Sequence, residues 1–472
     1  MKRLLAIATL LVLPTAGCMA APEQPPSESL RPGEPFTSRV LATGLADPWE
    51  ITWGPDDFLW VTEKSGKAVT RVNPADGSET TLLTIADAYA SNSQDGLLGM
   101  AFQPNFLKGS ENSGVYLAYT YDVSPNAAVA RRVKIVRYTY DPVANMLGNP
   151  VELISGLPAS SDHNSGRLLI GLDQKLYYAI GDQGNNQFER FCDPIRAQDL
   201  PTVEDVSARN WTTYVGKILR LNLDGSIPSD NPELNGVRSH IYSYGHRNPQ
   251  GLAFGSARRL FSVEHGPKAD DEINLIQAGG NYGWPHVSGF KDDQAYMYAN
   301  WSASTTPACS ALRYNSYAPE PSVPQQRETT WNAPGYVEPL KTLYTVPNGH
   351  NFRDATCGEQ SYICWPSIAP SSMDFVAVNT GGFEGWRNSL LVTSLKNGVL
   401  YSLRLTQDGG SVQGDITQFF KTTNRYRDLA LSPDGRTVYI VTDSAGRAGP
   451  QSGTPTEKLD NPGAILQFTY VG

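Results

Sequence analysis

One pattern recurs along the 472-residue chain and restricts its fold more than any other feature. An apolar residue is followed by a turn of Gly, Pro or Asp, then by a β-rich run that ends on an acidic or polar residue. WGPDDFLWVTEK begins at Trp53, IGLDQKLYYAIGD at Ile170, FGSARRLFSVEHG at Phe254 and LSPDGRTVYIVTD at Leu431. Looser versions, MAFQPNFLKGSENSGVYLAYTY from Met100 and FEGWRNSLLVTSLKNGVLYSLRL from Phe383, bring the number to six. The runs are short, rich in Val, Ile, Tyr and Leu, and separated by turn residues, with almost no amphipathic helix between them. Recurrence at irregular intervals of tens of residues predicts an all-β chain, a six-bladed β-propeller of four-stranded antiparallel sheets. A pair of β-sandwiches is the rival arrangement. It gives no reason for the recurring acidic end, whereas radial repetition delivers the same strand end to one central axis. Ligands therefore belong over that axis, on loops of several blades, and residues 296–339 read as an elaborated loop.

The net charge of -9 gives no electrostatic reason to bind nucleic acid or anionic lipid, so a small, neutral or metal-bound ligand suits the chain better. Residues 1–18 carry Lys2 and Arg3, an apolar run over 4–13, and small residues before Cys18. This is the pattern of an export signal, too short to span a bilayer as a stable helix. Two processing routes follow: a lipobox-like TAGC that lipidates Cys18, or cleavage after Ala20 that frees a soluble protein. Residues 19–36 read as a flexible tether and 37–472 as the propeller domain. Cys192, Cys309, Cys357 and Cys364 suit two disulfides in an oxidising compartment, with three pairings open. The compact loop CGEQSYIC favours Cys357 with Cys364, which leaves Cys192 for Cys309; zinc is a weak rival, because no histidines stand at ligand spacing.

Four polar stretches lie next to repeats. SSDHNSGRL (160–168) holds Asp162 and His163, IGDQGNNQ (180–187) holds Asp182 and Gln187, YGHRNPQGLAF (244–254) holds Arg247 and Asn248, and NRYRD (424–428) holds Arg425 and Arg427. Each alone reads more readily as a surface turn than as an active site. Together with Lys396 they place cations and amides around one histidine, which suits a ligand bearing several carboxylates. The histidine can take a proton near neutral pH, and a neighbouring carboxylate raises its basicity. EHGPKADDEINLI (264–276) adds the hard oxygens of Asp270, Asp271 and Glu272 and a Gly266-Pro267 turn whose carbonyls can face a cation; calcium binds such loops, and a solvated acidic turn is the plainer alternative. Tyr282 and Asp292 supply further oxygens downstream, and Tyr362 and Trp365 are either a stacking wall for a sugar or core.

Read in order, DHNSGRLLIGLDQKLYYAIGDQGNNQ, TYVGKILRLNLDGSIPSDNP, YGHRNPQGLAF, GPKADDEINLI, GGNYGWP, PLKTLYTV, CGEQSYICWP and TNRYRD closely resemble the soluble quinoprotein glucose dehydrogenases of the glucose/sorbosone dehydrogenase family. The resemblance runs from about Val40 to Tyr470 and keeps motif order and approximate spacing. It implies a six-bladed propeller that uses pyrroloquinoline quinone (PQQ) and calcium to oxidise aldoses such as glucose to the aldonolactone, passing electrons to an external acceptor, and that forms a homodimer. His163 would take the anomeric hydroxyl proton, with Asp162 tuning or orienting it, and Gln94, Asp162 and Gln187 would hold the sugar. Arg247 would stabilise charge on the reactive quinone oxygen; Asn248, Lys396, Arg425, Arg427 and Ser367 would hold the cofactor, Ser367 standing where threonine is expected. Main-chain oxygens of Gly266 and Pro267 would hold calcium, and Tyr362 and Trp365 would face the substrate. Asp271, Glu272, Tyr282, Asp292 and Glu328 resemble further structural calcium sites near the dimer interface, and Cys357 and Cys364 match the family disulfide. Phe188, where an aliphatic residue is usual, and Cys192, Cys309 and the lipid signal depart from the pattern. A calcium-dependent propeller lactonase would need no cationic cradle such as Arg425 with Arg427, and a non-catalytic sugar-binding propeller would leave His163 without a task.

Overall fold

The four closest repeats, those beginning at Trp53, Ile170, Phe254 and Leu431, each fold as a tight turn followed by the second strand of a four-stranded antiparallel sheet. In the first, Gly54 N–H donates to Phe58 O at 2.7 Å, closing the turn. A Cβ on Gly54 would lie 2.6 Å from Trp60 Nε1, so the turn requires glycine there. Trp60 then enters the core fully buried, contributing about 1.5–3 kcal/mol by the usual scale for large apolar side chains.

The computed structural model describes residues 35–109, 111–124, 126–449 and 455–472. The export signal, Cys18 and the tether up to residue 34 lie outside them. Six four-stranded sheets form the blades of a propeller. Blade one is Pro48–Trp53, Leu59–Glu63, Ala68–Val72 and Glu79–Thr84; blade two is Leu97–Phe102, Gly114–Asp122, Arg131–Asp141 and Met146–Pro158. Blade three is Leu168–Ile170, Leu176–Ile180, Lys217–Leu221 and Ile241–Tyr244; blade four is Pro249–Phe254, Leu260–Glu264, Asp271–Ile276 and Lys341–Leu343. Blade five is Pro370–Val376, Ser389–Ser394, Leu400–Arg404 and Thr417–Phe419. Blade six takes Tyr426–Leu431, Thr437–Thr442 and Ala464–Tyr470, and is completed by the N-terminal strand Phe36–Thr43, which pairs with Ala464–Tyr470. That pairing closes the ring by joining the N-terminal strand to the last blade as its outer strand.

The apolar core sits between neighbouring blades. Tyr116 and Ile135 of blade two meet Tyr178 and Leu219 of blade three, and Leu59 and Val61 of blade one meet Tyr439 and Ile465 of blade six. On the axis, Arg167 ties the ring together: Nη1 lies 3.0 Å from Asp428 and pairs with Glu50, and Nε donates to Gln250 O at 3.1 Å. In blades one, two, four, five and six the first and second strands slip register at the start of the first strand. Bulges at such a rim re-aim the adjoining side chains, and the ligand cavity lies there. Residues 296–339 form short 3-10 turns and a two-stranded ladder pairing Tyr298–Ala299 with Gln325–Gln326, as an elaborated loop should.

Candidate active site

A cavity of about 920 Å³ opens where first strands begin and second strands end. His163, Arg247, Ser367 and Arg425 precede first strands; Lys64, His265, Lys396 and Asp443 follow second strands. In a chain of net charge -9, six Lys and Arg (Lys64, Arg247, Lys268, Lys396, Arg425, Arg427) line this space against three Asp (Asp47, Asp162, Asp443). The cavity therefore selects anions against the charge of the protein as a whole.

His163 reaches it through a contorted backbone: His163, Ser165 and Gly166 have φ of 47°, 53° and 101° before the strand Leu168–Ile170 begins. Gly181 is fixed by this approach, since a Cβ there would lie 2.2 Å from His163 O. The imidazole is nearly buried, and its Nδ1 donates to Asp182 Oδ1 at 2.6 Å. Asp182 also accepts from Gly184 N at 2.9 Å and Trp284 Nε1 at 2.8 Å. Burial alone would raise its carboxyl, but the His163 and Arg247 charges and the Gly184 amide outweigh burial and hold it below the ordinary carboxylate range. With the proton fixed on Nδ1, the lone pair of Nε2 is left as the basic position. Asp162, expected to orient the imidazole, is 3.8 Å from Nε2 and does not touch Nδ1. The orienting carboxylate is Asp182, and Asp162 borders the cavity beside Nε2.

Gln187 links the other groups. Its amide nitrogen donates to Asp162 Oδ2 at 3.2 Å and lies 3.4 Å from His163 Nε2, while its oxygen accepts from Arg247 Nη2 at 3.2 Å. Gln94 accepts from His163 N at 3.1 Å and donates to Asp162. Arg247 donates to His265 O at 3.3 Å and lies over the Trp284 ring, but its buried Nε has no partner among the described residues. His265 donates from Nε2 to Pro370 O at 2.8 Å, and burial together with Arg247 holds its imidazole neutral. On the opposite wall Arg425 and Arg427 share one carboxylate, Asp443, at 2.9 and 2.8 Å. Burial opposes ionisation of Asp443, yet the two guanidinium groups draw it down to about 2. Lys396 donates to Trp365 O, and burial holds its ammonium below the ordinary lysine range. Tyr362, Trp365, Gly266 and Pro267 also line the cavity.

Some expected residues stand elsewhere. Asn248 does not line the cavity; its side-chain oxygen accepts from Ser165 at 3.1 Å and Gln250 at 2.9 Å behind the wall. Asp271 is buried beneath the Gly266 turn and accepts from Gly266 N, Ile368 N, Ala369 N and Ser367 Oγ, so it organises loops that line the cavity. The Tyr282 hydroxyl is engaged with Leu275 O and Gln277 N. Glu272 and Glu328 accept from the amides of Gly289 and of Ser288 and Asp293, while Asp292 accepts from Gln294 N. Glu328 is raised to about 8, chiefly by burial and also by Asp292 and Asp270. Among the described residues no three His, Cys, Asp or Glu side chains form a metal-binding group. The two disulfides join Cys192 to Cys309 and Cys357 to Cys364.

The pattern of the Glucose / Sorbosone dehydrogenase family matches residues 45–320 and 341–449. Quinoprotein glucose dehydrogenase B of Acinetobacter calcoaceticus is 46% identical over 440 residues, covering 93% of this chain and 91% of that protein. An aldose sugar dehydrogenase of Escherichia coli is 24% identical over 411 residues, covering 86% and 90%. The structure of the PQQ-bound aldose sugar dehydrogenase of Streptomyces coelicolor has the same fold, with a TM-score of 0.61 at 24% identity over 94% of this chain and 99% of that one.

Proposed function

The chain belongs to the glucose/sorbosone dehydrogenase family and is an oxidoreductase, and from that membership we propose a calcium-dependent quinoprotein that oxidises aldoses such as glucose at the anomeric carbon to the aldonolactone. The observation that carries this reading is the buried Asp182–His163 pair, which leaves Nε2 of His163 as a base inside a cation-lined cavity. When bound, PQQ supplies an electrophilic quinone carbonyl that accepts hydride, and its electrons leave to an external acceptor. The residues present suit such a polycarboxylate: Arg247 Nε has no partner among the described residues, and six Lys and Arg side chains face the space against three Asp. Gly266 and Pro267 would hold calcium. A Cβ on Gly266 would lie 1.8 Å from Ala269 O, so only glycine permits this turn, and no hydrogen bond to either carbonyl oxygen forms among the described residues.

The proton path follows from the side chains. His163 Nε2 takes the anomeric hydroxyl proton, and the imidazolium so formed is stabilised by Asp182. Gln187 and Gln94 anchor the Asp162 carboxylate beside the same nitrogen, where sugar hydroxyls would dock. Arg247 would stabilise negative charge on the quinone oxygen of the bound cofactor. Export to the cell envelope, with or without a lipid on Cys18, belongs to the same proposal, and the two disulfides suit an oxidising compartment. Homodimer formation is part of it as well.

The test is reconstitution of the apo protein with calcium and PQQ, followed by aldose-dependent reduction of a dye. His163→Ala should keep cofactor binding and lose roughly a hundredfold or more in turnover, the scale of a lost general base. Demonstrated cofactor binding without dye reduction by any common aldose would sink the reading.

A further inference from the structure

Gln187 touches Asp162, His163 and Arg247, and the residues on both sides of it are left-handed, which is unfavourable at Phe188. Asn186 and Phe188 have φ of 61° and 47°. An aromatic residue rarely adopts the left-handed region, and such a conformation persists only where its surroundings over-determine it. The surroundings are supplied by the 296–339 insertion. At the near end of the loop, Asn186 donates to Ala299 O at 2.9 Å and accepts from Trp301 N at 3.0 Å. At the far end, Cys192 is bonded to Cys309, which lies 117 residues away. Between these two pins Phe191 packs edge-on against Trp301 and tilted against Tyr314, and Phe188 packs against Tyr314. Phe188, Trp301 and Tyr314 also line the cavity. The Cys357–Cys364 bond spans 7 residues and cannot couple distant segments in this way.

We propose that the Cys192–Cys309 disulfide is a positioning device for the substrate site, clamping the Gln187–Phe188 loop to the insertion and thereby setting the affinity for sugar. The proposal rests on the dehydrogenase reading of the cavity, and wild-type turnover tests that reading separately. Cys192 and Cys309 touch no reacting atom. Their effect passes through Gln187 to Asp162, where sugar hydroxyls would dock, and through Phe188 to the cavity wall.

The experiment compares wild type with Cys192→Ser/Cys309→Ser, both loaded with calcium and PQQ. The expected result is a KM for glucose raised about tenfold, a misplacement effect of modest size, with kcat within about threefold and unchanged cofactor affinity. Hydrogen exchange at the Asn186, Arg190 and Trp301 amides, which are bonded across or within the clamp, should accelerate while blade amides stay protected. If the serine pair does not fold, Cys357→Ser/Cys364→Ser retains only the bond in question. Mild reduction of that folded variant should then raise KM and loop exchange, and reoxidation should restore both. Loop exchange that is unchanged, or kcat/KM within twofold of the disulfide-intact protein, overturns the proposal. Because exchange requires no turnover, the clamp can fail while the enzyme reading stands, and the reverse.

Discussion

Asp182→Asn tests how the base is built. Asp182 Oδ1 accepts from His163 Nδ1 at 2.6 Å and Gly184 N at 2.9 Å, and Oδ2 accepts from Trp284 Nε1 at 2.8 Å. All three neighbours are donors, so an amide nitrogen in either orientation confronts one of them. Facing the histidine, it also favours the tautomer with the proton on Nε2, which cannot act as base. The imidazolium formed in the reaction loses its buried counter-charge in both cases. Removing one partner of a buried pair costs about 3–5 kcal/mol. At about 1.4 kcal/mol per tenfold, this corresponds to a kcat lower by roughly 10² to 10⁴. Asp162 is the control, since its carboxylate is 3.8 Å from Nε2 and its side chain is 36% exposed. Exposed pairs are worth about 1 kcal/mol or less, so Asp162→Asn should change kcat by less than about tenfold. The assay is dye reduction at saturating glucose, with cofactor affinity measured independently because Asp182 also faces the Arg247 charge. A kcat for Asp182→Asn within tenfold of wild type, or a deeper loss in Asp162→Asn, refutes the assignment.

Asp443, drawn down to about 2, has a folded pKa below its unfolded value, so its pairing stabilises above about pH 4 and is lost as pH falls toward 2; this amounts to about 2 kcal/mol. Urea unfolding at pH 6, 4 and 2.5 should show a shallower acid slope for Asp443→Asn, and parallel slopes would contradict the linkage. Arg427→Met leaves Asp443 to Arg425 and Lys64 and should weaken PQQ binding roughly tenfold or more, with kcat at saturating cofactor little changed. Equal affinity in a cofactor titration would remove Arg427 from the cradle. Asp271→Asn turns an amide toward a ring of donors and should cost about 3 kcal/mol, read as a lower Tm in thermal unfolding. An unchanged Tm would mean that Asp271 does not hold these loops together.

The repeats were legible because each is local: a turn and the strand that follows it carry their own signal. The shortest first and fourth strands were not, since Leu168–Ile170 and Thr417–Phe419 are three residues long and too short for any period. The closing strand is set by a partner more than 400 residues away, as in the bond from Thr37 to Thr469 O. The same division runs through the site. His163 stands out in sequence, but the adjacent Asp162 looks like its partner, while a left-handed turn at His163 gives Nδ1 instead to Asp182, 19 residues on. Asn248, next to Arg247, packs behind the wall, where its side-chain oxygen is taken up by Ser165 and Gln250. The residues whose place or role was missed share one sequence signal. Lys64, Asp182, His265 and Asp443 each stand at the polar end of a repeat, in VTEK, AIGD, VEHG and IVTD. Second strands of different blades end at one rim, so the polar terminus of each repeat is carried to the cavity or just behind it. The recurrence that predicts a propeller thus also picks out the wall of its ligand site, one residue or two per blade.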